Sequence, residues 1–173
     1  MYTPYLLVLL LCELLINKTV GYSIVMIFWY YFSHQFLHVI PDFNLHTIVH
    51  HNHIFNISRE FELLLDFIFE CIFIIGFPVL FQYFFVTVLP TSIIVFIGIA
   101  FALNHILNYS FLPSEKHIAH HLNSTVNFYP DFMDHLFETN SDPKYEDMTQ
   151  HIPSLVQACI IVHFVKAYFQ WKD

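Results

Sequence analysis

The chain has 173 residues, the length of a single domain, and is 57% hydrophobic but only 12% charged, with a mean hydropathy of +0.57. Soluble domains carry about 25% charged residues, so the composition argues against a water-soluble globule and for an integral membrane protein. A formal net charge of −8 argues against nucleic acid as a partner.

Residues 2–17 hold one apolar run, YLLVLLLCELLI, interrupted only by Glu13. A full span needs about 20 residues, so this run crosses a bilayer tilted or lies partly at its surface. No basic segment or clear small-residue cleavage site marks it as a signal peptide. Residues 20–40 form the next run, in which Trp29, Tyr30 and Tyr31 read as an interfacial aromatic belt. The helix is expected to continue past the bilayer, carrying His34 and His38, and to stop at Pro41, which lacks a donor and restricts its predecessor.

A second histidine group, His46, His50 and His51, with His53 just after, falls on residues 44–58, read as a short helix outside the hydrocarbon. Residues 60–89 are apolar again. Glu60, Glu62, Asp66 and Glu70 cluster at their start, where a helix dipole favours carboxylates. Gly76 and Pro78 predict a kink, and Pro90 a break before a return span over 92–109. That span ends in Asn104-His105 and Asn108-Tyr109, polar groups that a membrane segment tolerates when they face a protein interior. A polar segment, 111–150, carries His117, His120 and His121. Residues 154–171 are read as an interfacial helix, packed on the bilayer surface or on the bundle in preference to spanning. His151 and His163 read as capped or surface side chains. Cys12, Cys71 and Cys159 are far apart in apolar stretches and read as buried thiols.

The expected fold is therefore all-α: one membrane domain over 1–173, about four membrane helices and a histidine-rich cap. In this topology Arg59, Lys116, Lys144, Lys166 and Lys172 lie on the histidine side and only Lys18 opposite, so the positive-inside rule puts the cap in the cytosol.

The histidine spacing carries the chemistry. Residues three and four apart share a helix face, so His34 pairs with His38, His46 with His50, and His117 with His120 and His121. Neutral imidazole suits iron, zinc, copper or nickel. One metal takes about three or four protein ligands. His34, His38, His46, His50, His51, His117, His120 and His121, with His105 as a ninth, are too many for one ion and about right for two.

Taken together, His34-x3-His38, His46-x3-His50-His51 and His117-x2-His120-His121 across a membrane hairpin resemble the fatty acid hydroxylase and sterol desaturase superfamily. Asn127-Phe128-Tyr129 and Asp134-His135-Leu136-Phe137-Glu138-Thr139 are similar to further family motifs, and the resemblance covers about residues 30–140. It implies two histidine-bound irons, with zinc able to occupy the site in a purified sample, and O2-dependent hydroxylation or desaturation of a fatty acyl or sterol lipid. It also implies electrons from a separate cytochrome b5-like donor, since no such domain is fused here, and an endoplasmic reticulum location. Asp134 and Glu138 are expected to orient ligating imidazoles from behind. The chain departs from the pattern in three places. The middle motif has three residues before its histidine pair where the family has two, a rotation of about 100° that leaves His46 and His53 as alternative ligands. Glu138 stands where the family has glycine, and Ser58 or Arg59 where it has histidine. The alternatives are a non-enzymatic metal- or lipid-binding protein of the same fold, and a divalent-metal transporter.

Overall fold

The computed structural model describes residues 2–40, 46–51, 58–85, 88–112 and 114–173. Among them the structure is all-helical. Helix α1 (Thr3–Asn17) starts with Pro4 in its first turn, where a missing N–H costs nothing. It ends at Lys18, whose φ of 57° closes the helix in the left-handed region. Helix α2 (Tyr22–Val39) follows, bent by 116° from α1. Gly21 makes that corner at φ 110°, a conformation a side chain would resist. Glu13 completes it. Its carboxylate accepts from the backbone N–H groups of Gly21, Tyr22 and Ser23 at 2.9–3.1 Å, so the one acid of the first apolar run caps the next helix.

A π-helical turn spans His46–His51. Helix α3 (Arg59–Cys71) is capped by Ser58, whose hydroxyl accepts from the Phe61 N–H. It runs through a second π-turn, Ile72–Gly76, into α4 (Phe77–Phe84). The predicted kink region thus carries a π-turn, with Gly76 ending it and Pro78 in the first turn of α4. Helix α5 (Thr91–Leu103) begins after Pro90 and leads through a third π-turn, Asn104–Asn108, into the short α6 (Tyr109–Phe111). Helices α7 (Glu115–Leu122) and α8 (Asp131–Leu136) lie in the polar segment, and α9 (Ile152–Phe169) closes the chain.

Helix α5 is the axis of the bundle. It packs against α1, α2, α3, α4 and α9, and α1 packs along α9. Ile93, Ile94, Phe96, Ile97 and Phe101 are buried on α5. At Gly98 a Cβ would sit 2.2 Å from Ile75, so glycine is what lets α5 approach the second π-turn. The α3–α4 rod instead exposes Phe77, Leu80, Phe81, Tyr83 and Phe84, an apolar surface of the kind that marks a membrane or partner contact.

Arg59–Phe84, Thr91–Phe111 and Met148–Phe169 are long and apolar enough to cross a membrane, and the bent α1–α2 pair makes a possible fourth. The 21 residues of Thr91–Phe111 reach about 30 Å, the thickness of a hydrocarbon core. The C-terminal stretch read as interfacial packs on the bundle and is also long enough to span.

Two expectations change. Tyr30 and Tyr31 are no interfacial belt: both are buried, Tyr30 stacked on Phe101 and the Tyr31 hydroxyl 2.6 Å from Thr139 Oγ1. The charge count also shifts. Helix α9 runs antiparallel to α5, with His151 hydrogen-bonded to Asn104 at one end. At the other, Lys166 donates to the Ile16 carbonyl and the Ser92 hydroxyl, and Asp173 holds Ser92. Lys166 and Lys172 therefore lie with Lys18 at the end away from the histidines. Three basic residues at each end give the positive-inside rule nothing to choose between. A last apolar stretch that passes along the bundle, and does not lie on the histidine side, is the reason.

His151 is a buried side chain, while His163 is exposed as expected. Cys12 and Cys159 are buried, Cys71 is partly so, and all three are free thiols.

Candidate metal centre

Three chain segments bring imidazoles to one end of the bundle. His34 and His38 come from the last two turns of α2, His46 and His51 from the first π-turn, and His120 from α7. His34, His38, His46 and His120 each offer a ring nitrogen, and these four atoms lie within 4.8 Å of one another. His34, His46 and His120 are buried and His38 half-buried.

The outer nitrogens of this group sit on acceptors that cannot donate. His34 Nδ1 is 2.7 Å from the Phe128 carbonyl, and His120 Nδ1 is 2.6 Å from the Val126 carbonyl. His46 Nδ1 is 3.2 Å from Glu70 Oε1. A carbonyl or carboxylate only accepts, so each Nδ1 carries a proton, and in its neutral form each ring presents a bare Nε2 inward. The bare Nε2 atoms of His34 and His46 then face each other at 3.2 Å, and His38 Nε2 is 3.3 Å from His46 Nε2. Two facing lone pairs repel. The buried Nε2 of His120 has no hydrogen-bond partner among the described residues, an expensive arrangement for a polar atom. A cation at the centre removes both penalties. Four converging nitrogens suit a metal ion, which takes several ligands, better than a shared proton. The residues thus fit a metal, and all-imidazole ligation is compatible with iron, zinc, copper or nickel.

A second group adjoins the first. His117 and His121 bring their Nε2 atoms to 3.0 Å, and His51 stacks on His121 with ring centroids 4.5 Å apart. His105, in the third π-turn, lies 5.1 Å from His117 between ring centroids. The groups touch through His51 and His120 at 5.1 Å and through His34 and His105 at 5.7 Å. Tyr109 lies flat on His117 at 3.9 Å. His53 and the His50 side chain fall outside the described residues. His46, one of the two alternatives, stands among the converging imidazoles.

Burial and neighbouring imidazoles hold His51 and His117 well below the ordinary histidine range. Burial does the same for His120 against the opposing pull of the Val126 carbonyl. All three are neutral at pH 7, the state a metal ligand requires.

Asp134 and Glu138 do not touch an imidazole in the way the sequence suggests. Asp134 Oδ1 accepts from the Phe128 N–H and the Thr139 hydroxyl, and Oδ2 from the Tyr129 N–H, at 2.7–2.9 Å. Asn127 ties the same loop down, donating to the Lys116 carbonyl and the Ser141 hydroxyl and accepting from the Ser141 N–H. The clip fixes the carbonyl that meets His34, so Asp134 acts on the site through the backbone. Burial pushes its carboxyl up to about 6 in spite of these three donors. Glu138 is exposed, at φ 57°. That left-handed conformation is a reason for the resembled motif to carry glycine there.

Glu70 was not singled out by the sequence reading, which placed it among the acids of a helix start. It sits at the end of α3, one turn beyond Asp66, and accepts from His105 Nδ1 at 3.1 Å as well as from His46. The available signal was a carboxylate inside an apolar run. The two carbonyl partners, by contrast, had no signal, because every residue has a carbonyl.

A cleft of about 240 Å3 reaches the second group. His105, His117 and His121 form part of its lining, with apolar walls from Leu63, Ile106 and Leu122.

No protein-family model, curated protein or solved structure matches this chain.

Proposed function

We propose that this chain is an integral membrane oxygenase. It holds two iron ions between the histidine groups and uses O2 to hydroxylate or desaturate a fatty acyl or sterol lipid. The observation that carries the metal reading is the Nε2-to-Nε2 approach of His34 and His46 at 3.2 Å, both with Nδ1 committed to acceptors. His34, His38, His46 and His120 would hold one ion, and His51, His105, His117 and His121 the other. Iron there would supply the O2 activation that attack on an unactivated C–H bond requires.

The chain's own part is orientation and exclusion of water. Phe128, Val126 and Glu70 fix the imidazole tautomers. The Asp134 and Asn127 clip holds the loop behind them. The cleft, lined by His105, His117 and His121 with Leu63, Ile106 and Leu122 and, at its wall, Arg59 and Asp66, supports a substrate with a hydrocarbon chain. The exposed apolar face of α3–α4 and three helices long enough to span support delivery of that substrate from a bilayer. Electrons come from a separate donor of the cytochrome b5 kind, and the endoplasmic reticulum is the membrane proposed.

The test is metal content per chain on detergent-purified protein, with iron and zinc measured together, followed by mass spectrometry of lipids from expressing cells. The expected result is two metals per chain and a hydroxylated or desaturated lipid, both lost in His120→Ala protein that remains folded. No metal after expression in iron-replete cells, or lipid products that persist in the variant, refutes the proposal.

A further inference from the structure

The two ion positions of the proposed centre are joined behind their ligands by one carboxylate oxygen. Glu70 Oε1 accepts from His46 Nδ1 at 3.2 Å and from His105 Nδ1 at 3.1 Å. His46 belongs to the four-imidazole group, while His105 neighbours His117 in the second. The side chains are enclosed: Glu70 is 11% exposed, His46 6% and His105 3%. We propose that Glu70 is a positioning residue for both ions at once, setting the tautomer of one ligand of each and coupling their affinities. This rests on the two-metal reading given above.

The local backbone explains how one oxygen reaches both rings. His46 opens the first π-turn, Glu70 stands two residues before the second, and His105 lies in the third. A π-turn inserts an extra residue into a helix and re-aims the side chains around it, which is why such turns gather at functional sites. Two π-turns and the last turn of α3 thus converge on a single hydrogen-bonded junction, His46–Glu70–His105. The acceptor is charged, so both bonds are of the stronger, charge-assisted kind. Each holds a proton on Nδ1 and raises the basicity of Nε2, the atom a metal would use. His34 and His120 have only neutral carbonyls behind them. Glu70 therefore adds a negative charge that those ligands lack, at a point shared by both groups.

Loss of such an outer partner weakens metal binding by about 10–100-fold. For Glu70 the loss falls on both ions. Gln has the same shape, and its amide oxygen can take both N–H groups as Oε1 does, but it carries no charge, so the substitution removes the charge behind both ligands.

The experiment titrates metal-free, detergent-purified protein with Co(II) alone against a chelating competitor, reading the visible absorption of the bound ion. It compares wild type with Glu70→Gln and Glu70→Asp. The expected result is two binding steps in wild type, both weakened about 10–100-fold in Glu70→Gln, with a shifted absorption envelope and partial recovery in Glu70→Asp. Melting temperatures of the metal-free proteins are measured beside them. A carboxylate that only supports the fold would lower the melting temperature while leaving affinity and spectrum, read well below it, unchanged; that outcome overturns the proposal. Weakening of one step alone overturns the shared role. Wild-type protein that takes up no Co(II) overturns the metal centre and this inference together, whereas wild-type uptake with an unaltered Glu70→Gln titration overturns this inference only.

Discussion

Glu13 offers a test of the fold in which two readings of one residue predict opposite signs. An acid in the middle of YLLVLLLCELLI is a liability if it faces lipid, and Glu13→Leu would then stabilise the protein. In the structure Glu13 is fully buried, and its two oxygens take the backbone N–H groups of Gly21, Tyr22 and Ser23, the first three donors of α2. Those donors have no partner within the helix, and the positive end of the α2 dipole points at the carboxylate. Hydrogen bonds to a charged group contribute about 1.5–3 kcal/mol each, and a buried donor left without a partner costs about 1–3 kcal/mol. The three share one acceptor and do not add fully. Glu13→Leu or Glu13→Ala is therefore expected to cost about 3–5 kcal/mol, as for other buried charges that lose or leave a partner. Glu13→Gln, which keeps one acceptor oxygen but turns an amide N–H toward the donors, is expected to cost about 2 kcal/mol. In a domain of this size 1 kcal/mol moves the melting temperature by about 2–4 °C, so the Leu and Ala variants melt about 10 °C low. The assay is thermal unfolding in detergent, at pH 7 and fixed micelle concentration. A Glu13→Leu protein that melts at or above wild type refutes the capping argument and with it the account of the α1–α2 corner.

Gly98→Ala puts a Cβ against the Ile75 γ-carbon; overpacking of this kind costs about 1–3 kcal/mol, seen as a lower melting temperature. Acid destabilises the metal-free protein. His51, His117 and His120 are held below the ordinary range, so their contribution is complete above about pH 6.5 and is lost as pH falls. With each worth up to about 1.4 kcal/mol per pH unit, melting temperature should drop steeply between pH 6.5 and 5, and bound metal should be released over the same range; a flat profile contradicts the burial described. Asp134 acts with the opposite sign: its carboxyl is raised from 3.8 to about 6, so its share is complete below pH 3.8 and lost as pH rises through 6, and the acid slope should steepen in Asp134→Asn. Thr139→Val removes the hydroxyl that joins Tyr31 to Asp134 and should loosen the loop behind His34, read as a few-fold weaker Co(II) affinity with little change in melting temperature.

The sequence by itself determined the helical character, the histidine groups and most helix ends. These are local properties: apolar runs of span length, imidazoles three and four residues apart, and prolines at the boundaries. Pro90 starts a helix for a reason visible in a few residues. It could not decide which polar group stands behind which ligand. Glu70 reads in sequence as a helix-dipole acid and becomes a shared acceptor only when the end of α3 meets the first and third π-turns. Val126 and Phe128 contribute backbone atoms that no side-chain pattern encodes. Glu13 reads as an interruption until the α1–α2 corner brings three N–H groups to it. The direction of α9 likewise needed its contacts with Ser92 and Asn104, and it moved Lys166 and Lys172 to the far end. Hydrophobic periodicity fixes what each segment is, because burial and helical hydrogen bonding act over a few residues. Hydrogen-bond partners across the bundle are set by how whole helices pack, and that information enters only with the tertiary structure.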